Sequence, residues 1–347
     1  MQDDRNEHRP DAPMEGREAG RDALGALIRA AGRRPSPSAE HYQKVFAATR
    51  HAWQRKVRAR QRRQWAYALA ATVAAVAIGL ATLLQLMPAQ PVAALATVAM
   101  SDGGAVVLSP ETGIWQPLDD PGVRITHGSR LRTDGNGRAS LDLSSGISVR
   151  VNNRSELAFR SPRELELIAG AVYVDSGPDA PARRFAIETG FGTIRDVGTQ
   201  FEVNTAPQEL RVRIREGLVQ LYRSGQQPEL EGAAGEEVRL DRVGTVERRA
   251  FSPYDTEWSW AEALAGTFEI DGQSLMVFLN WVARETGRVL RFDEPTAEVQ
   301  ARGVILHGSA QDLTPMQALD VLLPTTDFEY TLLDDGAILI RRRGLPQ

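Results

Sequence analysis

Residues 128–159, GSRLRTDGNGRASLDLSSGISVRVNNRSELAF, decide how most of this chain folds. Leu141 and Leu143 alternate with Ser140 and Asp142, and Ile147, Val149 and Val151 alternate with Ser148 and Arg150. A period of two places apolar side chains on one face of an extended strand and polar ones on the other. Turn-forming residues separate the runs: DGNG at 134–137, read as a hairpin, then SSG at 144–146 and Asn152-Asn153. Moving outward, Leu165 and Leu167 alternate with Glu164 and Glu166, and Val212 and Ile214 with Arg211, Arg213 and Arg215. Further breakers fall at 161–164 (SPRE), 177–181 (GPDAP) and 190–192 (GFG). Short alternating strands spaced about 8–12 residues apart predict a sandwich, roll or barrel with one polar face. No segment from Val92 to Arg249 keeps a helical period, so this stretch reads as a single all-β unit.

Upstream, Trp65 to Met87 (WAYALAATVAAVAIGLATLLQLM) carries no charge. As a helix these residues span about 34 Å, enough for a hydrocarbon core of about 30 Å. Eight Lys/Arg and no acid lie between Lys44 and Arg63, whereas Pro88 to Ser101 is uncharged until Asp102. Basic flanks stay cytoplasmic, so the sequence predicts one span with its N-terminal side inside and everything after Met87 outside. Residues 1–64 hold 15 Lys/Arg against 8 Asp/Glu, net +7; the whole chain is −4, leaving −11 for residues 65–347. An acidic exported part argues against direct nucleic-acid binding. Without cysteine, no disulfide supports the exported domains, which must rest on their own cores.

The arm at 1–64 has a polar beginning (1–16) expected to be disordered. A short amphipathic helix follows through Leu24, Leu27 and Ile28, then a second, capped by Ser36 with Pro37 at its first position. Tyr42, Val45, Phe46, Thr49, Trp53 and Val57 recur at intervals of three and four, one apolar stripe. Two such helices are too small to bury a core of their own. The stripe is read as a docking face for another protein; a helix lying on the membrane surface is the other reading.

After Trp258 and Trp260, which read as core or interdomain packing, the rhythm changes. Phe268–Ile270 is read as a strand, and Ser274 caps a helix with Leu275, Phe278, Leu279 and Val282 on one face, stopped by Gly287. Residues 289–292 and 304–307 are read as strands, and Thr314–Gln317 as a capping box opening a second helix that Pro324 stops. Two runs at 328–333 and 337–340 flank Asp334-Asp335-Gly336, a hairpin signal. The predicted organisation is therefore a helical arm (1–64), a transmembrane helix (65–87), a β-rich domain (88–255) and a small α+β domain (256–347).

The quoted stretch at 128–159, followed by PRELELIAGAVYVDSG (162–177), FAIETGFGTIRDVGTQFEV (185–203) and LRVRIREGLVQL (210–221), closely resembles the FecR domain. That resemblance implies a single-span inner-membrane regulator, an anti-sigma factor, relaying a signal from an outer-membrane receptor's signalling domain to a cytoplasmic sigma factor, with its C-terminal bulk in the periplasm. The α+β domain resembles the secretin/TonB short N-terminal domain at Leu275 through Gly287, Leu306-His307-Gly308 and Ala318 through Leu323. This implies a receptor-facing surface involving Leu275, Phe278 and Leu306, while the FecR resemblance implies that Tyr42, Val45, Phe46 and Trp53 meet the sigma factor. The family's arm is usually longer and richer in tryptophan. Some members cleave themselves by an N-to-O acyl shift at a Gly-Thr pair, here Gly198-Thr199; the other reading of this pair is a turn glycine opening a strand. No cofactor is expected: the five histidines are scattered, and no metal-ligand spacing, P-loop, dinucleotide fingerprint or GxSxG occurs. A membrane-anchored scaffold that binds a glycan or an assembly partner is the alternative function.

Overall fold

The computed structural model describes residues 25–32, 38–40, 43–44, 46, 69–80, 82, 93–177, 185–223, 225, 227–311 and 313–344. The chain divides into two units, Met1–Gln90 and Pro91–Gln347.

In the first unit, residues 25–30 and 69–80 are helical. Every residue from 69 to 80 is exposed, including Leu69, Val73, Val76, Ile78 and Leu80. Thr82 folds its hydroxyl back onto the Ile78 carbonyl at 2.7 Å. No described helix is long and apolar enough to cross a membrane; the predicted span's residues 65–68, 81 and 83–87 lie outside the described residues.

The second unit begins with a sheet of 15 strands. They are β1 (Ala96–Asp102), β2 (Ala105–Leu108), β3 (Trp115–Pro117), β4 (Arg124–Ile125), β5 (Arg130–Thr133), β6 (Arg138–Leu143), β7 (Ser148–Val151) and β8 (Glu156–Ser161). Then follow β9 (Glu164–Asp175), β10 (Ala186–Thr189), β11 (Gly192–Thr205), β12 (Glu209–Tyr222), β13 (Leu230–Ala233), β14 (Glu236–Asp241) and β15 (Val246–Ala250). The alternation read from the sequence holds: Leu141, Val149, Val151, Leu165, Leu167 and Ile214 all point into one core with Phe159, Val172 and Phe201.

Three long strands run through both halves of this sheet by changing partners midway. The first half of β9 pairs with β8 and, in parallel, β10; its second half pairs with β7 and β11. Strand β11 passes from β10 to β9, and β12 from β14 to β13, while remaining paired with each other. Gly170 (φ 84°), Gly198 (φ 70°) and Gly217 (φ 83°) stand at the three changeovers. DGNG is not a hairpin: β5 pairs with β2 and β8, β6 with β1 and β7, so this turn connects strands that do not pair. Asp134 shapes it by accepting the amide hydrogens of Asn136 and Gly137.

The C-terminal part has its own core. The helix Leu275–Thr286 starts at Ser274, whose hydroxyl accepts from the Val277 amide, and stops at left-handed Gly287. The helix Pro315–Leu322 opens with the predicted capping box, Thr314 and Gln317 each bonding the other's backbone. Strands β16 (Leu290–Phe292), β17 (Phe328–Leu332) and β18 (Ile338–Arg342) form a sheet in the order β16-β18-β17, with the Asp334–Gly336 hairpin joining the last two. Two predicted strands are absent: residues 268–270 are irregular, and 304–307 contribute only a bridge from Ile305 to Ser274. An unanticipated helix, Pro295–Gly303, lies between β16 and residues 304–307; its buried face is only Ala297 and Ala301, too weak a period to read.

Candidate functional site

Two arrangements in the second unit stand out, and they touch. One is the Gly198–Thr199 bulge. Val197 pairs with Leu218 and Gln200 with Glu216, so Gly198 and Thr199 together oppose Gly217. A side chain on Gly217 would overlap the Gly198 carbonyl oxygen and stand 2.6 Å from the Thr199 methyl group. The extra residue inverts the strand's phase, turning Thr199 to the side that Asp196 occupies. Thr199 Oγ1 lies 3.3 Å from Asp196 Oδ2, and Asp196 Oδ1 accepts the Phe185 amide at 2.6 Å. Ser176 grips the two peptides on either side of Thr199: its Oγ accepts the Thr199 amide at 2.9 Å, and its amide donates to the Thr199 carbonyl at 3.1 Å. Both Asp196 and Thr199 are buried. Burial pushes the Asp196 carboxyl above its usual range, against the hydrogen bonds it accepts from Phe185, Ser176 and Thr199.

The other arrangement is a seam of guanidinium groups between the β domain and the C-terminal part. The face of β12 and β7 expected to meet water is covered: Arg150, Arg213 and Arg215 are only 2–3% exposed. Arg150 donates to Glu285 Oε2 at 2.6 Å and to the Ala261 carbonyl at 2.8 Å. Arg215 reaches the Pro253 and Glu285 carbonyls, both at 2.7 Å, and Glu262 Oε1 at 2.6 Å. Arg213 pairs with Glu237 and Glu257 and lies 4.2 Å from the Phe251 ring centre. Trp258, fully buried, packs between Tyr173 and Phe251, and the Trp260 indole donates to Glu202 at 3.0 Å. The tryptophans are thus interdomain packing. Tyr173 is enclosed among them, and burial pushes its phenol up to about 12 despite the pull of Arg215 and Arg150.

The two arrangements meet at Arg284. From the helix Leu275–Thr286 it pairs with Asp175 and with Glu216. Asp175 precedes Ser176 and accepts from Gln200 Nε2 at 2.8 Å, while Glu216 opposes Gln200 across β11 and β12. A residue of the C-terminal part therefore bonds both strands that flank the bulge.

The sequence-predicted residues are distributed unevenly over these features. Gly198 and Thr199 are central to one of them. Leu275 and Phe278 are fully buried and Leu306 is 4% exposed, all within the C-terminal core. This corrects the expectation that their side chains form a receptor-facing surface: an apolar helix face that builds a core is unavailable to a partner. Phe46 is helical and 58% exposed; Tyr42, Val45 and Trp53 lie outside the described residues. Asp196, Ser176, Arg150, Arg213, Arg215 and Arg284 were not singled out. One usable signal existed: every cation after residue 65 is Arg, the two lysines being Lys44 and Lys56. Planar, stackable guanidinium suits enclosed sites better than ammonium does.

Residues 129–220 match the family model described as FecR protein. The resemblance read from the sequence is thereby shown for that segment, which runs from β5 into β12 and contains the bulge. Two crystal structures described as "a putative anti-sigma factor from Parabacteroides distasonis ATCC 8503" are similar to the chain at 13% identity. One, at 1.65 Å, covers 62% of this chain and 99% of its own with a TM-score of 0.33; the other, at 2.50 Å, covers 60% and 95% with 0.29. No curated protein matches the chain.

Proposed function

We propose that this chain is a single-span regulator of the anti-sigma type, holding a cytoplasmic sigma factor through its arm until an outer-membrane receptor's signalling domain engages its exported part. The observation that carries this reading is the FecR match over residues 129–220. The uncharged, fully exposed helix at 69–80 supports the membrane assignment, because an apolar helix with no buried side needs apolar surroundings. The charge step at Trp65 supports the orientation, with residues 1–64 in the cytoplasm and residues 88–347 in the periplasm. The Arg284 bonds offer a physical route from the C-terminal part to the β domain.

The same reading includes one self-cleavage between Gly198 and Thr199. Its support is local: a positive-φ glycine, a bulge, and a buried hydroxyl beside a buried carboxylate. Cleavage would leave the two halves of β11 paired to the rest of the sheet on both sides, so the fragments stay associated.

Two measurements test the regulator. An alkaline phosphatase fusion after residue 347 should be active in cells, and a stable but inactive fusion overturns the topology. Residues 1–64 should bind a sigma factor in a purified pair, and changing Phe46 and Trp53 to Ala should weaken this by about 2 kcal/mol or more if both are anchors. Equal binding by the double variant assigns the stripe to the membrane surface instead.

A further inference from the structure

Asp196 is an unusual carboxylate for a structural position. It is 2% exposed, and among the described residues no Lys or Arg pairs with it. A buried carboxylate is costly, and natural sequences keep one where its chemistry is used. One oxygen, Oδ1, is engaged by the Phe185 amide, which fixes the carboxyl plane. The other, Oδ2, faces Thr199 Oγ1. That contact exists only because the bulge rotates Thr199 onto the Asp196 side; in an unbroken strand, residues three apart point to opposite faces. Ser176 meanwhile holds the Thr199 amide nitrogen, the one that would leave, and the carbonyl of the following peptide.

We propose that Asp196 is the general base and acid of the self-cleavage step, an inference that rests on the cleavage reading above. As Thr199 Oγ1 forms a bond to the Gly198 carbonyl carbon, its proton passes to Asp196 Oδ2. When the tetrahedral carbon collapses, the Gly198–Thr199 C–N bond breaks and Asp196 returns the proton to the departing nitrogen. The product is an ester between the Gly198 carbonyl and Thr199 Oγ1, with a free Thr199 amine. One water then hydrolyses the ester, giving a Gly198 carboxylate and restoring the threonine hydroxyl, so water is the sole co-reactant. The raised affinity of Asp196 for a proton suits a group that must both take and return one. Ser176 acts as a positioning residue.

The experiment follows fragment formation in the full-length membrane-inserted protein, tagged at both ends and separated after denaturation. The forms are wild type, Thr199→Ala, Asp196→Asn, Thr199→Cys and the double variant Asp196→Asn/Thr199→Cys. Asparagine keeps the oxygen that the Phe185 amide needs and removes the buried charge, so its unfolding temperature should equal or exceed the wild type's. Losing a general base should slow cleavage about 10²- to 10⁴-fold. Thiol is far more acidic than a threonine hydroxyl and needs no strong base, so the double variant should cut at a rate near that of Thr199→Cys. Asp196→Asn cutting at the wild-type rate overturns the role of Asp196 while leaving self-cleavage intact. A double variant that stays whole while Thr199→Cys is cut shows that Asp196 only supports the structure, and likewise overturns it. Wild type and Thr199→Cys both remaining whole while folded removes self-cleavage itself, and the role of Asp196 with it.

Discussion

Glu237 shows how a single residue depends on its setting. Its side chain is fully buried yet ionised, because Arg213, Arg239 and Arg249 all donate to it, at 2.6 to 2.9 Å. Burial works against the charge, but the hydrogen bonds from Arg249, Arg213 and Arg239 outweigh it and hold the carboxyl at about 2. Its proton affinity is therefore lower in the folded chain than in the unfolded one, where a glutamate titrates near about 4.3. The unfolded chain takes up a proton first as pH falls, so the stabilisation is complete above that value and disappears down to about pH 2. Glu237→Gln should lower stability at pH 7 and flatten the acid dependence between about pH 4.3 and 2. Urea unfolding of both forms across that range checks this; parallel pH curves would show that Glu237 titrates as an ordinary surface acid. Asp196 has the opposite sign, its raised proton affinity favouring the folded state at low pH.

At the scale of elements, the long strands depend on glycines that the alternating pattern does not advertise. Gly217 has φ 83°, and a methyl group there would overlap the Gly198 carbonyl oxygen. Gly217→Ala should therefore combine backbone strain of about 1–2 kcal/mol with a steric clash that displaces the bulge. We expect a loss of about 2–4 kcal/mol in stability and, under the self-cleavage proposed above, slower cutting at Gly198-Thr199. An unfolding midpoint within a degree of the wild type would mean that β11 and β12 relax freely around this corner. Legibility followed the strength of the local signal. Strand alternation, the Ser274 and Thr314 caps, the Gly287 stop and the Asp334–Gly336 hairpin were readable because each is decided by neighbours in sequence. The Pro295–Gly303 helix was not, since two alanines make its buried face and Glu294 supplies no side-chain cap. DGNG has the residues of a hairpin, but which strands it joins depends on pairings with β2 and β8 far away in sequence. At the bulge, Gly198 and Thr199 were readable as a pair, whereas Asp196 needed the phase inversion and Ser176 needed β9 beside β11.

At the scale of the whole second unit, the β domain and the C-terminal part have separate cores joined by a seam in which buried ion pairs surround an aromatic cluster of Tyr173, Phe251, Trp258 and Trp260. Apolar patterning could not anticipate its ionic part: Arg211, Arg213 and Arg215 alternate with Val212 and Ile214 as a solvent face would, and only the covering segment at 251–287 makes that face an interior. Such a seam differs from an apolar one in its response to losing one member. Breaking a buried pair leaves an uncompensated charge, at a cost of about 3–5 kcal/mol, whereas an apolar truncation leaves only a void. Glu285→Ala strands the Arg150 guanidinium, which is left with the Ala261 carbonyl, the Tyr173 ring and no acid at its Nη2. The variant should loosen the C-terminal part from the β domain while each core persists. In hydrogen exchange, amides of the helix Leu275–Thr286 should open about a hundredfold more often, the factor that roughly 3 kcal/mol corresponds to, while central amides of β11 and β12 hold their protection. If the regulator reading is right, the same variant in cells should raise sigma-dependent transcription without an inducing signal, since it imitates a receptor that pulls the seam open. Arg284→Gln provides the comparison: it cuts the bonds to Asp175 and Glu216 beside the bulge but leaves Arg150 paired. Equal exchange in wild type and Glu285→Ala would mean that Trp258, Trp260 and their apolar neighbours carry the joint, with the arginines serving only to fill it.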